Sequence, residues 1–352
     1  TSSVRYGLQD DCMTVDPNKF NICLDLKSDS GRYEKWMDAF AVARDRWQEV
    51  IIADGGSTVD IRPWFPPQAI ATELPAIVDD LYVACNVTSI DGPGGILGMA
   101  GPSVIRKSKG MIRPVGGIMK FDMDDIRILK DDEWKSVILH ELGHVLGFGS
   151  LFAQNGLHSG SRTSDFYSGA VAQAEWQALC PRGRLPIETD GSAGTAGSHW
   201  DEECLKGELM TGYLSPRAMQ LSRLTIGALE DMGYGVDMNA ADKYTRANLG
   251  RCGKYCPGER RNLRDTYDKT KERLTEQGRL DVLTAAAKEL QSRRNNAPSD
   301  LPDDLEYIAT ESITVFLRDY DGLVKEDSVT YAQVQDHIAR TTGNIFDHKK
   351  EA

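Results

Sequence analysis

The segment from Val137 to Gly147 constrains the fold more than any other part of the chain, because it sets ligating side chains in a run that otherwise asks to be buried. Val137-Ile138-Leu139 precedes and Val145-Leu146 follows His140-Glu141-Leu142-Gly143-His144. Polar groups taken out of water cost free energy unless they find partners, so a helix of this composition needs a core around it and something for its histidines to bind. A metal ion meets that need. Residues four apart lie on one helix face a turn apart, so both imidazoles reach a single ion while Glu141 points to the open side of that ion. Asp131-Asp132-Glu133 supplies acidic residues where a helix start favours them, and the helix is predicted over Trp134 to Leu146. Gly147 can take the left-handed conformation that ends a helix and turns the chain.

The His-Glu-x-x-His spacing carries a definite chemistry. A divalent metal lowers the pKa of water towards roughly 7 and polarises a carbonyl, and a glutamate in the place of Glu141 takes the proton, which together hydrolyse a peptide bond. Chance occurrence on a solvated helix face is the competing explanation, and the apolar flanks together with Gly147 count against it. A catalytic zinc wants a third protein ligand, with the fourth position left to water. Beyond the helix pair the chain offers His158, His199, His337 and His348, the last two in a charged tail. His158 lies among Asn155, Gly156, Ser159 and Gly160, a turn-rich stretch that reads as an exposed loop. An acidic ligand, Glu202 or Glu203, is the other option.

Around this helix the pattern is α+β. Ile22, Leu24 and Leu26 alternate as on a strand, and further strands are predicted at Asp79–Val87, Gly95–Ile105 and Gly117–Phe121, with Pro and Gly clusters between them. Trp36, Phe40, Ala43, Trp47 and Val50 recur at steps of three and four, which predicts a helix between Arg32 and Ile52. Seven cysteines stand outside any CxxC pairing, so disulfides rather than a zinc ribbon are expected, in an oxidising compartment. Proximity suggests Cys12–Cys23, Cys180–Cys204 and Cys252–Cys256, with Cys85 left as a free thiol in an apolar strand. No charged-then-apolar leader stands at Thr1, so any signal or pro-segment is expected to have been removed or to lie outside this sequence.

The region after the helix resembles the leishmanolysin family of metzincins. The compact metzincin pattern has a histidine three residues beyond the glycine, where this chain has Ser150; in the leishmanolysin branch the third histidine follows a long insertion, and His199-Trp200 fits that arrangement. Glu208-Leu209-Met210-Thr211-Gly212 is similar to the methionine turn, with Met210 beneath the metal, and Leu221 to Tyr234 to the closing helix. Asp91 to Gly98 is similar to the approach to the edge strand, which places Gly98 and Ala100 beside an extended substrate. The resemblance, over roughly residues 20 to 237, implies a metzincin-like zincin with one catalytic Zn2+ held by His140, His144 and His199, Glu141 as base, and protein or peptide substrates. It implies an upper catalytic subdomain with a mixed twisted sheet (1–149) and an irregular and helical lower subdomain (150–257), in a protein expected to be a monomer that is secreted or at the cell surface; a charged helical C-terminal extension (258–352) is expected to follow. The extension lies outside the resemblance; its helical character is read from stretches such as Leu280 to Leu290.

Composition narrows the alternatives. A net charge of −12 repels a phosphate backbone, and no basic stripe interleaved with aromatics is present, so nucleic acid is not expected as a partner. No apolar run approaches the roughly 20 residues of a membrane helix. Asp319-Tyr320-Asp321-Gly322 hints at a calcium loop, but Leu317 and Ser328 occupy positions where acidic ligands would be needed. Asn86-Val87-Thr88 is a glycosylation sequon inside a predicted strand. A non-catalytic adhesion module on the same fold is the alternative function, and Glu141 is the residue such a module would not need.

Overall fold

The structure is a computed structural model that describes residues 18–28, 34–53, 58–60, 77–90, 96–108, 110–158, 166–189, 196–212, 219–257, 305–307, 312–318 and 324–330. In chain order the elements are β1 (Ile22–Ser28), α1 (Glu34–Val50), β2 (Val59–Asp60), β3 (Ile77–Val78), β4 (Leu81–Thr88), β5 (Ile96–Ser108), β6 (Met111–Asp122) and the single turn α2 (Met123–Ile126). They continue with α3 (Asp131–Val145), α4 (Ala170–Leu179), α5 (Arg223–Asp231), β7 (Leu305–Tyr307), β8 (Ser312–Arg318) and β9 (Val324–Thr330).

The main sheet runs β1-β4-β6-β5-β8-β9. β1 pairs parallel with β4 and β4 parallel with β6, whereas β5 returns antiparallel along β6 through a tight turn at Gly110. Ile22 and Leu24 of β1 and Leu81, Val83 and Cys85 of β4 share the core with α1, as the alternation predicts. α1 lays Phe40, Ala43, Trp47 and Val50 inward, all essentially without exposed surface. Trp47 also donates its indole N–H to the Leu139 carbonyl at 2.9 Å, which ties α1 to α3. Phe40, Phe121 and Trp134 pack edge to face between the two helices and β6, with centroids 4.9–5.7 Å apart. Replacing such a buried aromatic by alanine costs about 3–5 kcal/mol, so this cluster is a principal anchor for the pose of α3. Asn86 of the sequon sits within β4, which is paired on both sides.

Below α3 the chain is mostly irregular, and its regularity comes from side chains. Phe148, Phe152, Tyr167, Trp176 and Trp200 form an aromatic interior, and two disulfides staple it. These join Cys180 to Cys256 and Cys204 to Cys252, and so correct the pairings Cys180–Cys204 and Cys252–Cys256 suggested by proximity. Cys252 and Cys256 flank a single 3-10 turn, Gly253–Tyr255, and reach in two directions, one to the end of α4 and one to the turn after His199. Each bridge closes a long loop, 76 and 48 residues, and on a chain-entropy argument contributes roughly 4 kcal/mol. Cys23 is disulfide-bonded, and the proposed partner Cys12 lies outside the described residues. Cys85 is free and buried, as expected. Its thiol is pushed up by burial and by the nearby Asp25, so it stays protonated. Thiol labelling of denatured, unreduced protein should therefore find one reactive cysteine, and none in Cys85→Ser; a higher count would remove a staple from the lower region.

What is described of residues 258–352 is strand and not helix. β8 pairs antiparallel with β5 at Ile96↔Leu317, Met99↔Val315 and Ala100↔Thr314, β7 adds at Val104 to Arg106, and β9 extends the sheet beyond β8. The 280–290 stretch that suggested a helix, and the Asp319–Gly322 segment, lie outside the described residues. No helix among the described residues is long and apolar enough to cross a membrane.

Candidate metal centre

α3 begins where the sequence asks it to. The Glu133 carboxylate accepts the Lys130 N–H at 3.0 Å, and acidic residues fill its first turn. Trp134, Val137, Ile138, Leu142 and Val145 anchor the helix in the core, and this carries His140, Glu141 and His144 inside with them, at 1%, 0% and 1% exposure. The helix stops at Gly147, whose φ is +101°; a Cβ there would stand 2.9 Å from the Met232 methyl, so this turn requires glycine. Ser150, the position of the third histidine in the compact pattern, donates its hydroxyl to the His144 carbonyl at 2.8 Å.

The chain then travels through the 150–198 segment and returns His199, fully buried, to the same point. His144 Nε2 lies 2.8 Å from His140 Nε2 and 3.1 Å from His199 Nε2. These histidines form the one group of three or more His, Cys, Asp or Glu among the described residues whose ligating atoms all lie within 4.8 Å of one another. His158 stands apart, with Nε2 2.8 Å from the Gly197 carbonyl, and so does Glu202.

The tautomers show what the cluster can hold. His140 Nδ1 lies 2.6 Å from the Leu209 carbonyl and His144 Nδ1 2.9 Å from the Phe148 carbonyl. A carbonyl has no hydrogen to give, so each Nδ1 is the donor in its contact, and Nε2 of the neutral ring is the atom available to ligate a metal. Two neutral Nε2 atoms 2.8 Å apart need a positive charge, a metal ion or a proton, to hold them together. The donor set therefore fits a divalent metal that takes imidazole nitrogen, zinc foremost. The groups that orient these rings are backbone carbonyls. The acidic run 201–203 plays a different part: Asp201 accepts the Cys204 N–H at 2.8 Å and shapes the turn leading to the disulfide.

Two glycines that sequence reasoning passed over make the convergence possible. A Cβ on Gly143 would stand 2.9 Å from Met210 Sδ and 3.2 Å from Trp47, so the methionine seats against the helix only because Gly143 lies between the two histidines. At Gly149, with φ +69°, a Cβ would fall inside the Ser198 backbone, which is the residue before His199. Their signal in the sequence is their place, one within the motif and one just past its glycine. Gly98 and Ala100 are both buried on β5. Gly98 pairs with Phe121, whose ring occupies the space of a side chain, so packing accounts for this glycine.

Comparison with known proteins supports the family resemblance over different bounds from the 20 to 237 read in the sequence. The leishmanolysin family model matches residues 77–257, just over half of the chain. The chain belongs to the leishmanolysin family. The match takes in α3, the 150–198 insertion, His199, Met210 and both described disulfides, and ends one residue beyond Cys256; β1, α1 and β7–β9 lie outside it. A leishmanolysin of Leishmania donovani is 31% identical over 190 residues, covering 51% of this chain and 31% of its own length. A leishmanolysin homolog of Crithidia fasciculata is 30% identical over 165 residues, covering 44% of this chain and 24% of its own length. The chain thus spans about a quarter to a third of the length of these family members.

Carboxyl groups near the site are tuned by burial. Glu202 is pushed from its ordinary 4.5 up to about 8, by burial above all and by Glu188 and Asp201 beside it, against the pull of Thr211 and Lys206. The sign of the resulting pH effect follows from proton counting. Between about 4.5 and 8 the folded state holds a proton that the unfolded chain has released, so stability falls as pH rises through that window. Glu202→Gln should flatten this decline, with its urea midpoint gaining on the wild type as pH is raised from 6 to 9 at equal zinc. Equal slopes in the two proteins would mean that Glu202 is ionised in the fold.

Proposed function

We propose that this chain is a zinc-dependent endopeptidase of the metzincin type, secreted or at the cell surface, that cleaves proteins or peptides. Convergence of His140, His144 and His199, with Nδ1 of His140 and His144 turned to backbone carbonyls, carries the proposal, and family membership supports it. Bound zinc supplies positive charge that acidifies water and polarises a peptide carbonyl. His140, His144 and His199 would hold the ion; Gly147 turns the chain away after the helix, and Met210 packs against Gly143 between the two helix histidines. Glu141, next to His140 on a dry helix face, takes a proton from the attacking water. The water oxygen bonds to the carbonyl carbon, the C–N bond breaks, and Glu141 hands the proton to the leaving amine nitrogen. No covalent enzyme intermediate is involved.

Substrate lies extended across the metal, and Gly98 and Ala100 of β5 contact it through backbone. β5 carries β8 at Met99 and Ala100, so a substrate strand takes that edge when β8 yields it. The upper and lower catalytic parts divide at 149, with the cleft between them, and residues 258–352 form an extension whose strands β7 and β8 join the upper sheet at β5. Placement outside the cell is supported by two disulfides in the described residues.

Metal analysis paired with casein digestion tests the function. About one zinc per chain is expected, with digestion abolished by a chelator and restored by zinc. Digestion that survives complete zinc removal would contradict the proposal.

A further inference from the structure

Glu208 has no exposed surface, yet its carboxylate is heavily hydrogen-bonded. Its oxygens accept from the Met210 N–H at 2.6 Å, the Ser222 N–H at 3.2 Å, the Ser222 hydroxyl at 2.7 Å and the Thr225 hydroxyl at 2.6 Å. The Thr225 hydroxyl in turn accepts the indole N–H of Trp200 at 2.9 Å, and Trp200 follows His199 directly. Trp200 also gives its backbone N–H to the Met210 carbonyl at 2.9 Å.

One peptide plane joins this network to the metal. The Met210 N–H and the Leu209 C=O belong to the same trans amide, so they point in opposite directions. One end meets the Glu208 carboxylate at 2.6 Å and the other meets His140 Nδ1 at 2.6 Å. A carboxylate on the N–H end fixes the plane and draws negative charge towards the carbonyl oxygen, because bonds in a chain polarise one another inside a low-dielectric interior. The carbonyl then holds the His140 N–H more firmly, and the ring becomes a better donor through Nε2. Metal-ligating histidines commonly give this N–H to a carboxylate directly; here the carboxylate stands one amide further back.

We infer that Glu208 is a positioning residue of the metal centre, acting on His140 through the Leu209–Met210 amide and on the His199 segment through Thr225 and Trp200. The inference rests on the three-histidine metal site proposed above. A purely structural carboxylate would stabilise the fold and leave the metal unaffected; a positioning carboxylate alters the metal itself.

The test uses the full chain loaded with cobalt(II) in place of zinc. Metal affinity is read by chelator competition, the ligand field by the visible d–d bands, and stability by thermal unfolding. Glu208→Gln, which keeps the shape and removes the charge, is expected to weaken metal binding roughly 10-fold or more, the scale of lost outer partners, and to shift the d–d bands. Ser222→Ala removes a donor to the same carboxylate but spares the amide. It should lower the melting temperature while keeping affinity within about 2-fold of wild type and the bands in place. Glu208→Asp keeps the charge but shortens its reach, should lose less affinity than Glu208→Gln, and decides the matter if the glutamine variant does not fold. Wild-type affinity and bands in the folded variants at Glu208 would overturn the inference while leaving the metal site standing. A wild-type chain that takes up no cobalt or zinc would overturn both.

Discussion

Glu141→Gln is expected to lower casein digestion by roughly 10²–10⁴-fold while retaining about one zinc per chain, since the change removes a proton acceptor and no metal ligand. The substitution keeps the volume and shape of a fully buried side chain, so folding should survive it. The loss should fall on kcat more than on KM, because proton transfer belongs to the transition state and substrate binding does not require it. Near-normal digestion by the variant would remove Glu141 from the mechanism. Loss of zinc with loss of activity would instead make the carboxylate part of the metal's own support. Unchanged digestion would also revive the idea that this fold serves adhesion and that the hydrolysis lies elsewhere.

Local patterns carried most of the upper half. β1, α1, β4 and α3 stand close to where alternation and three-four spacing predict them, because each has one buried face and the period of that face is written in the residues. Convergence of His199 on the helix pair was legible only through the resemblance, since nothing in the residues between 150 and 198 says where that excursion returns. Disulfide pairing failed for the same reason. Cys252 and Cys256 lie close in sequence yet bond to Cys204 and Cys180, because the turn between them aims the two side chains at different parts of the lower region. Glu208 looks ordinary in the sequence, one acidic residue before Leu-Met; its role depends on burial among donors from α5, a tertiary fact. Similarly, Gly143 and Gly149 are explained by what presses against them, Met210 and Ser198, and no spacing rule supplies those neighbours. For the C-terminal region, Ser312 to Arg318 is rich in β-branched residues and now reads as strand, while the helical expectation came from residues that are not described.

The second large effect concerns the third ligand, for which proximity in sequence would favour His158. His158 follows the helix closely, but its Nε2 contacts the Gly197 carbonyl, and burial pulls its pKa down without bringing it to the cluster. His199 lies 3.1 Å from His144 Nε2 at the centre of the converging group. Removing a direct ligand should cost more than the roughly 10–100-fold in metal affinity that loss of an outer partner costs, and catalysis should fail with the metal. Zinc content per chain, measured side by side in folded, dialysed His199→Ala and His158→Ala proteins, tests the three-histidine centre most directly. The account predicts loss of zinc and of casein digestion in His199→Ala, with His158→Ala holding about one zinc and digesting casein; zinc retained by His199→Ala and lost from His158→Ala would contradict it.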